Sequence, residues 1–260
     1  MPGAALKAES RDQLKQQLKA DRQLLVAAFH EDGKPEKLLR GLRQSVDAAL
    51  TEAWQGAGLP AASALVGVGG YGRGELFPYS DVDLLILLAE PANAITRGKL
   101  EELVQLLWDL GLEIGSSIRT VDECMTESEA DITVQTSLLE ARLVTGDQAL
   151  FDQLQQRYQA ALDPQAFFQA KTAEMRLRHA KYEDTAFSLE PNCKESPGGL
   201  RDLQVILWVA KAAGLASSWG QLAVRGLITR TEARALMEKE RAFKDIRVRL
   251  HLYTNRREDR

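Results

Sequence analysis

Several things are scarce in this chain of 260 residues. It has two cysteines, Cys124 and Cys193, and three histidines. Two cysteines so far apart make neither a disulfide framework nor a cysteine-based zinc site, and they suit a reducing compartment, the cytoplasm. Long apolar runs are missing. Stretches such as Leu84–Ala89 fall far short of the roughly 20 residues a membrane helix needs. Met1 leads into polar, helix-like sequence rather than the apolar core of an export signal. A basic excess is missing too: 33 Lys and Arg stand against 37 Asp and Glu, a net charge of −4. Dedicated nucleic-acid binders usually carry a positive surplus, so neither a nucleic acid nor a membrane is the expected partner. There is no internal repeat and no low-complexity segment. What remains, 45% hydrophobic and 27% charged residues, is ordinary globular usage, with length for one large domain or two small ones.

Charge is unevenly placed. Residues 171–260 hold 18 Lys and Arg against 12 Asp and Glu, whereas the first 170 hold 15 against 25. Solvated helix faces account for this most simply. A basic second half facing a polyphosphate near an acidic metal site is the other reading.

Hydrophobic periodicity divides the chain. Leu14, Leu18, Leu24, Leu25 and Phe29, then Leu38, Leu39, Leu42, Val46 and Leu50, recur at helical spacing, with a break at Gly33–Pro35. The texture then changes. Residues 64–70 are a short apolar run ending in glycines, the pattern of a buried strand entering a tight turn. Residues 71–80 have room for one helical turn at most. Val82–Leu88 is a second strand, Leu100–Leu110 an amphipathic helix and Leu112–Ile118 a third strand. After Thr120 the pattern is helical almost to the end, so strands are expected only between about residues 62 and 120. The stripe Leu203, Ile206, Leu207 and Ala210 reads as core. This is an α+β plan: a helical segment over 1–60, a core with a short mixed sheet over 61–145, and a helical domain over 146–260.

The stretch from Gly67 to Leu88 carries the chemistry. Gly67, Gly69 and Gly72 formally match G-x-G-x-x-G after a strand. A dinucleotide fold, however, needs a crossover helix of a dozen or more residues before its next parallel strand. Here residues 71–81, with Pro78 among them, leave no room for one. No Gly-Lys-Ser/Thr follows either, which excludes a Walker loop. The spacing suits another device. Gly69 and Gly70 end one strand, where bare backbone N–H groups can approach phosphate oxygens. Asp81 and Asp83 open the next strand two residues apart, hence on one face. Two carboxylates there need compensation, which a divalent cation supplies. Mg²⁺ typically takes one or two carboxylates plus substrate phosphates.

Gly69-Gly70 with Asp81-Val-Asp83 resembles the nucleotidyltransferase superfamily that includes kanamycin nucleotidyltransferase and DNA polymerase beta. The longer string from Gly69 to Leu85 is similar to that of the PII-uridylyltransferase family. So are Leu189–Gln204, Ile118-Arg-Thr120 with Glu123-Cys-Met125, Leu250-His-Leu252, and Arg256-Arg-Glu-Asp-Arg260. The resemblance runs from about residue 20 to the end. It implies a DNA polymerase beta-like nucleotidyltransferase core followed by a helical domain. It implies transfer of UMP from UTP to a tyrosine of the signalling protein PII, with release of pyrophosphate and with Mg²⁺ or Mn²⁺ as cofactor. Gly69 and Gly70 would hold the triphosphate, and Asp81 and Asp83 the metal. Family members continue into an HD-type phosphohydrolase domain and paired ACT domains. His30, His179 and His251 are none of them followed by Asp, so the chain is expected to be an N-terminal part without these domains.

The superfamily usually adds a third carboxylate on the following strand. Glu113 is the candidate catalytic base, with Asp122 and Asp131 as alternatives. A related adenylyltransferase carries Asp near the position of Gly115. Among further nucleotide contacts, Arg73 suits a phosphate or a plain surface position. Ser80 suits the turn before Asp81, and Arg119 ends the third strand. Lys194, with Ser196 and Arg201, lies in a Pro-Gly-Gly loop that either receives a phosphate at a helix N-terminus or packs as a cap. His179 reads as solvent-facing. Nothing in the spacing selects uracil over adenine. A related signalling nucleotidyltransferase, an adenylyltransferase and a nucleotide-binding regulatory module stay open, and an RNA-tailing polymerase is disfavoured by the charge.

Overall fold

The computed structural model describes residues 8–182, 185 and 189–260. Helices α1 (Ala8–Asp32) and α2 (Pro35–Ala57) part where Gly33 adopts φ of 60°. Pro35 then opens α2 in its first turn, where a missing N–H costs nothing. One face of α2 buries Leu38, Leu39, Leu42, Val46, Leu50 and Trp54. Strand β1 (Ser63–Gly67) is buried throughout. A single helical turn, α3 (Gly69–Gly72), leads toward β2 (Val82–Leu88), which pairs antiparallel with β1, Gly67 opposite Leu84. Helix α4 (Ala94–Asp109) starts earlier than its leucine pattern suggests, because the Asn93 side chain accepts from the Thr96 N–H and caps it. It returns the chain to β3 (Ile114–Thr120), parallel to β2 with Asp83 beside Gly115. Thr120 and Glu123 form a capping box that opens α5 (Val121–Ala130).

After α6 (Ile132–Leu139) comes β4 (Arg142–Gly146), antiparallel to β1 with an irregularity at Leu65/Val66. The expectation that strands stop near residue 120 is corrected here. Arg142-Leu-Val-Thr-Gly146 is short and directly follows helical sequence, so its two apolar residues read as the end of a helix. The open edge of β1 makes it a strand. The sheet order is β3-β2-β1-β4, a mixed sheet within an α+β fold. Helix α7 (Gln148–Ala161) follows.

The chain divides into two compact units between Ala160 and Ala161. The first contains α1 and α2 together with the sheet. The second is helical: α8 (Pro164–Lys181), α9 (Leu200–Ala212), α10 (Trp219–Val224) and α11 (Arg230–Thr254). Ala210, Ala216, Trp219, Leu222 and Ala233 are its buried cluster, with Leu203 and Leu207 packed against them. Ile206 departs from the expected stripe and is exposed. Trp208, beside the stripe, is buried as its place there suggests, its ring 4.5 Å from Lys171 Nζ and 5.2 Å from the Arg201 guanidinium carbon. Burial pushes the free thiols of Cys124 and Cys193 up to about 11, away from reactivity. Among the described residues no helix is long and apolar enough to cross a membrane.

Candidate active site

The glycine turn continues the β1–β2 ladder by one step, Val68 N donating to Asp83 O at 3.0 Å. Gly69 then takes φ of 56°, which disfavours any side chain. A Cβ there would stand 3.2 Å from Asp83 Oδ2. On the other side, a Cβ at Gly115 would stand 2.9 Å from Asp83 Oδ1. The Asp83 carboxylate thus lies between two backbone positions that carry no side chain. Gly72 is required for a different reason: a Cβ would meet Glu140 O at 2.3 Å and Gly67 O at 2.8 Å.

A polar network holds this turn. Tyr71 Oη donates to Asp47, which also accepts from Arg43 at 2.7 Å and from both terminal nitrogens of Arg142 at 3.0 and 3.1 Å. Burial, then the neighbouring Asp47 charge, raises the Tyr71 phenol well above its ordinary value, so it stays a donor. The network joins α2, the glycine turn and β4. Sequence reading did not find it, because its members lie far apart and only Tyr71 stands in a motif.

Asp81 and Asp83, both half-buried, line an open hollow of about 630 Å³ with Trp108, Glu113 and Gly115. Glu113 is exposed just before β3, its carbonyl accepting from Val82 N at 2.7 Å. Gly69, Gly70, Asp81, Asp83 and Glu113 therefore belong to one neighbourhood of the first unit. Among the described residues no three Asp, Glu, His or Cys side chains are grouped to hold a metal ion. A two-carboxylate site fits Mg²⁺ all the same, since substrate phosphates complete its shell. The side-chain-free flanks of Asp83 leave room for such an ion.

Other expected residues fall elsewhere. Arg73 Nη1 is 2.9 Å from Glu140 Oε2 and its Nε is 3.7 Å from Glu75, while Nη2 lies 3.6 Å from the Cβ position of Gly70. It borders the turn already engaged by carboxylates. Ser80 N donates to Phe77 O, closing the turn before Asp81. Arg119 is four residues along β3 from Gly115, about 13 Å at strand rise. It pairs with Glu127 at 3.7 Å and borders a separate hollow beside α4. Of the alternative bases, Asp122 pairs with Arg157 at 2.5 Å, and Asp131 caps α6 through the Thr133 N–H.

Lys194 lies in the second unit. Asn192 Oδ1 accepts from the Lys194 and Glu195 N–H groups and shapes its loop. Burial, then Arg201 and Arg247, lowers the Lys194 ammonium. Glu195 faces Lys194, Arg178 and Arg201. Asp202 accepts from Arg178 at 2.5 Å, from the Gly198 N–H, and pairs with His179 at 3.0 Å. His179 is thus tied down rather than free in solvent.

A single-turn glycine loop followed by paired strand carboxylates, on a sheet of this order, defines a class. Residues 58–136 match the nucleotidyltransferase domain, so this class is present in the chain. Residues 166–260 match the family described as GlnD PII-uridylyltransferase. The bifunctional uridylyltransferase/uridylyl-removing enzyme of Cupriavidus pinatubonensis is 60% identical over 258 residues, 99% of this chain and 29% of its own length. That of Cupriavidus metallidurans is 60% identical over 246 residues, 95% of this chain and 29% of its own. That of Ralstonia nicotianae is 56% identical over 242 residues, 93% and 28% respectively. By sequence the chain is similar to these bifunctional enzymes over nearly its whole length, and it spans about three-tenths of the length of the relatives it matches.

Proposed function

We propose that the first unit transfers UMP from UTP to a tyrosine hydroxyl of the PII signalling protein, in the cytoplasm, with pyrophosphate as the leaving group. The observation carrying this reading is the Asp83 carboxylate set between Gly69 and Gly115, beside the glycine turn. In this mechanism the Gly69 and Gly70 backbone receives the triphosphate. Asp81 and Asp83 hold Mg²⁺ or Mn²⁺, which when bound would neutralise charge on the phosphates. Glu113 accepts the phenol proton as the phenol oxygen bonds to the α-phosphorus and the bond to pyrophosphate breaks. A free phenol has a pKa of about 10, so a nearby carboxylate assists mainly as the bond forms. Arg73 keeps the glycine turn in place. Arg119, beside a separate hollow, and Lys194, in the second unit, are further candidates for the nucleotide.

The test is UMP transfer to PII from labelled UTP, with ATP as competitor. Asp81→Asn and Asp83→Asn should each lower the rate roughly 10²–10³-fold, the scale of losing preorganised electrostatics, with thermal unfolding unchanged. Labelling at the parent rate in either variant would overturn the assignment. Preference for ATP would instead support adenylyl transfer.

A further inference from the structure

A second cavity adjoins the carboxylates. It has a volume of about 270 Å³ and shares Gly111, Leu112 and Glu113 with the hollow that contains Asp81 and Asp83. Its floor is apolar, from Leu42, Val46, Leu76, Phe77, Val82 and Leu110. Its rim is basic. Lys15, Lys19 and Arg22 lie at helical spacings of four and three, so they stack along one face of α1. Lys15 and Lys19 are exposed, and Arg22 lies 4.0 Å over the Tyr79 ring. Among the described residues no carboxylate stands within ion-pair distance of these three. The nearby Asp21 bonds Ser45 and Gln17 instead. This rim sits in the half of the chain where acids outnumber bases by 25 to 15, so it is a local device rather than a general surplus.

The basic cavity has room for an aromatic side chain, and its apolar floor suits a ring.

We propose that this cavity receives the acceptor: the tyrosine ring of an acidic segment enters over the apolar floor toward Glu113, while acidic residues flanking it face Lys15, Lys19 and Arg22. The inference rests on the reading of the site as one that transfers UMP to a protein tyrosine. It adds where the acceptor docks and which charge it presents.

The experiment uses the whole chain and PII protein, with two readouts. Calorimetry measures PII binding without turnover, and steady-state transfer measures KM for PII and for UTP separately. The variant is Lys15→Glu/Lys19→Glu, two exposed changes that leave the apolar floor intact. Expected are a rise of about tenfold in KM and Kd for PII, unchanged KM for UTP and unchanged kcat at saturating PII. Added salt should weaken PII binding in the parent far more than in the variant. Parent-like KM and Kd for PII would overturn the docking site, and a parallel loss of UTP affinity would assign the cavity to the nucleotide. PII binding that depends on the two lysines without any UMP transfer would keep the docking site and remove the proposed reaction.

Discussion

At the residue scale, the glycines of the turn do different work, and substitution separates them. Gly69→Ala places a methyl at φ of 56° and 3.2 Å from Asp83 Oδ2. Its cost in stability should be about 1 kcal/mol, while UMP transfer falls much further because the Asp83 carboxylate is pushed aside. Gly72→Ala should behave in the opposite way. Its methyl would run into two backbone carbonyls, so the first unit should lose about 2–3 kcal/mol in urea unfolding. The glycines and the Asp pair were readable because their chemistry is local: a turn conformation and a two-residue alternation. Gly115 was noted only as the place where a relative carries Asp. Its role as the second flank of Asp83 depends on strand register, which no local pattern encodes.

At the element scale, β4 and α2 are coupled through a charge that neither requires alone. Arg142 gives Asp47 two hydrogen bonds, and Tyr71 donates to the same carboxylate. Arg142→Leu should destabilise the first unit by about 2 kcal/mol, the scale of hydrogen bonds to a half-buried charge. Hydrogen exchange should then quicken in β4 and the glycine turn but not in β3. Strand β4 was illegible in the sequence because four half-buried residues and an exposed glycine after a helix carry no period of their own. By contrast, β2 was legible to the residue: it is buried throughout except at Asp83, and Asp81 and Pro91 bound it.

At the scale of the whole molecule, the two units should respond differently to acid. In the second unit His251 is fully buried, and desolvation lowers its imidazole below the ordinary 6.5, with Asp259 opposing and Arg247 and Arg257 adding to the fall. Glu195, Asp202 and Asp259 are also lowered, against burial, by the cations and His179 or His251 around them. The unfolded chain binds protons more readily at every one of these groups. The His251 contribution is therefore complete above about pH 6.5 and is lost as pH falls below it. The carboxylate contributions are complete above about pH 4–4.5 and are lost on further acidification. The thermal stability of the second unit should fall from pH 6.5 downward. His251→Gln should flatten the upper part of that decline and leave the part below pH 4.5.

The linear sequence determined the helices of the first sixty residues, the order β1, turn, β2, α4, β3, and the pairing of a glycine turn with two carboxylates. Each depends on residues a few positions apart, where turn geometry and side-chain period act directly. Only tertiary structure decided the fourth strand, the Asp47 network, the glycine on each side of Asp83 and the basic cavity that shares Glu113. These join residues as far apart as Lys15 and Glu113, or Asp47 and Arg142, and such distances close only when the sheet and its helices pack.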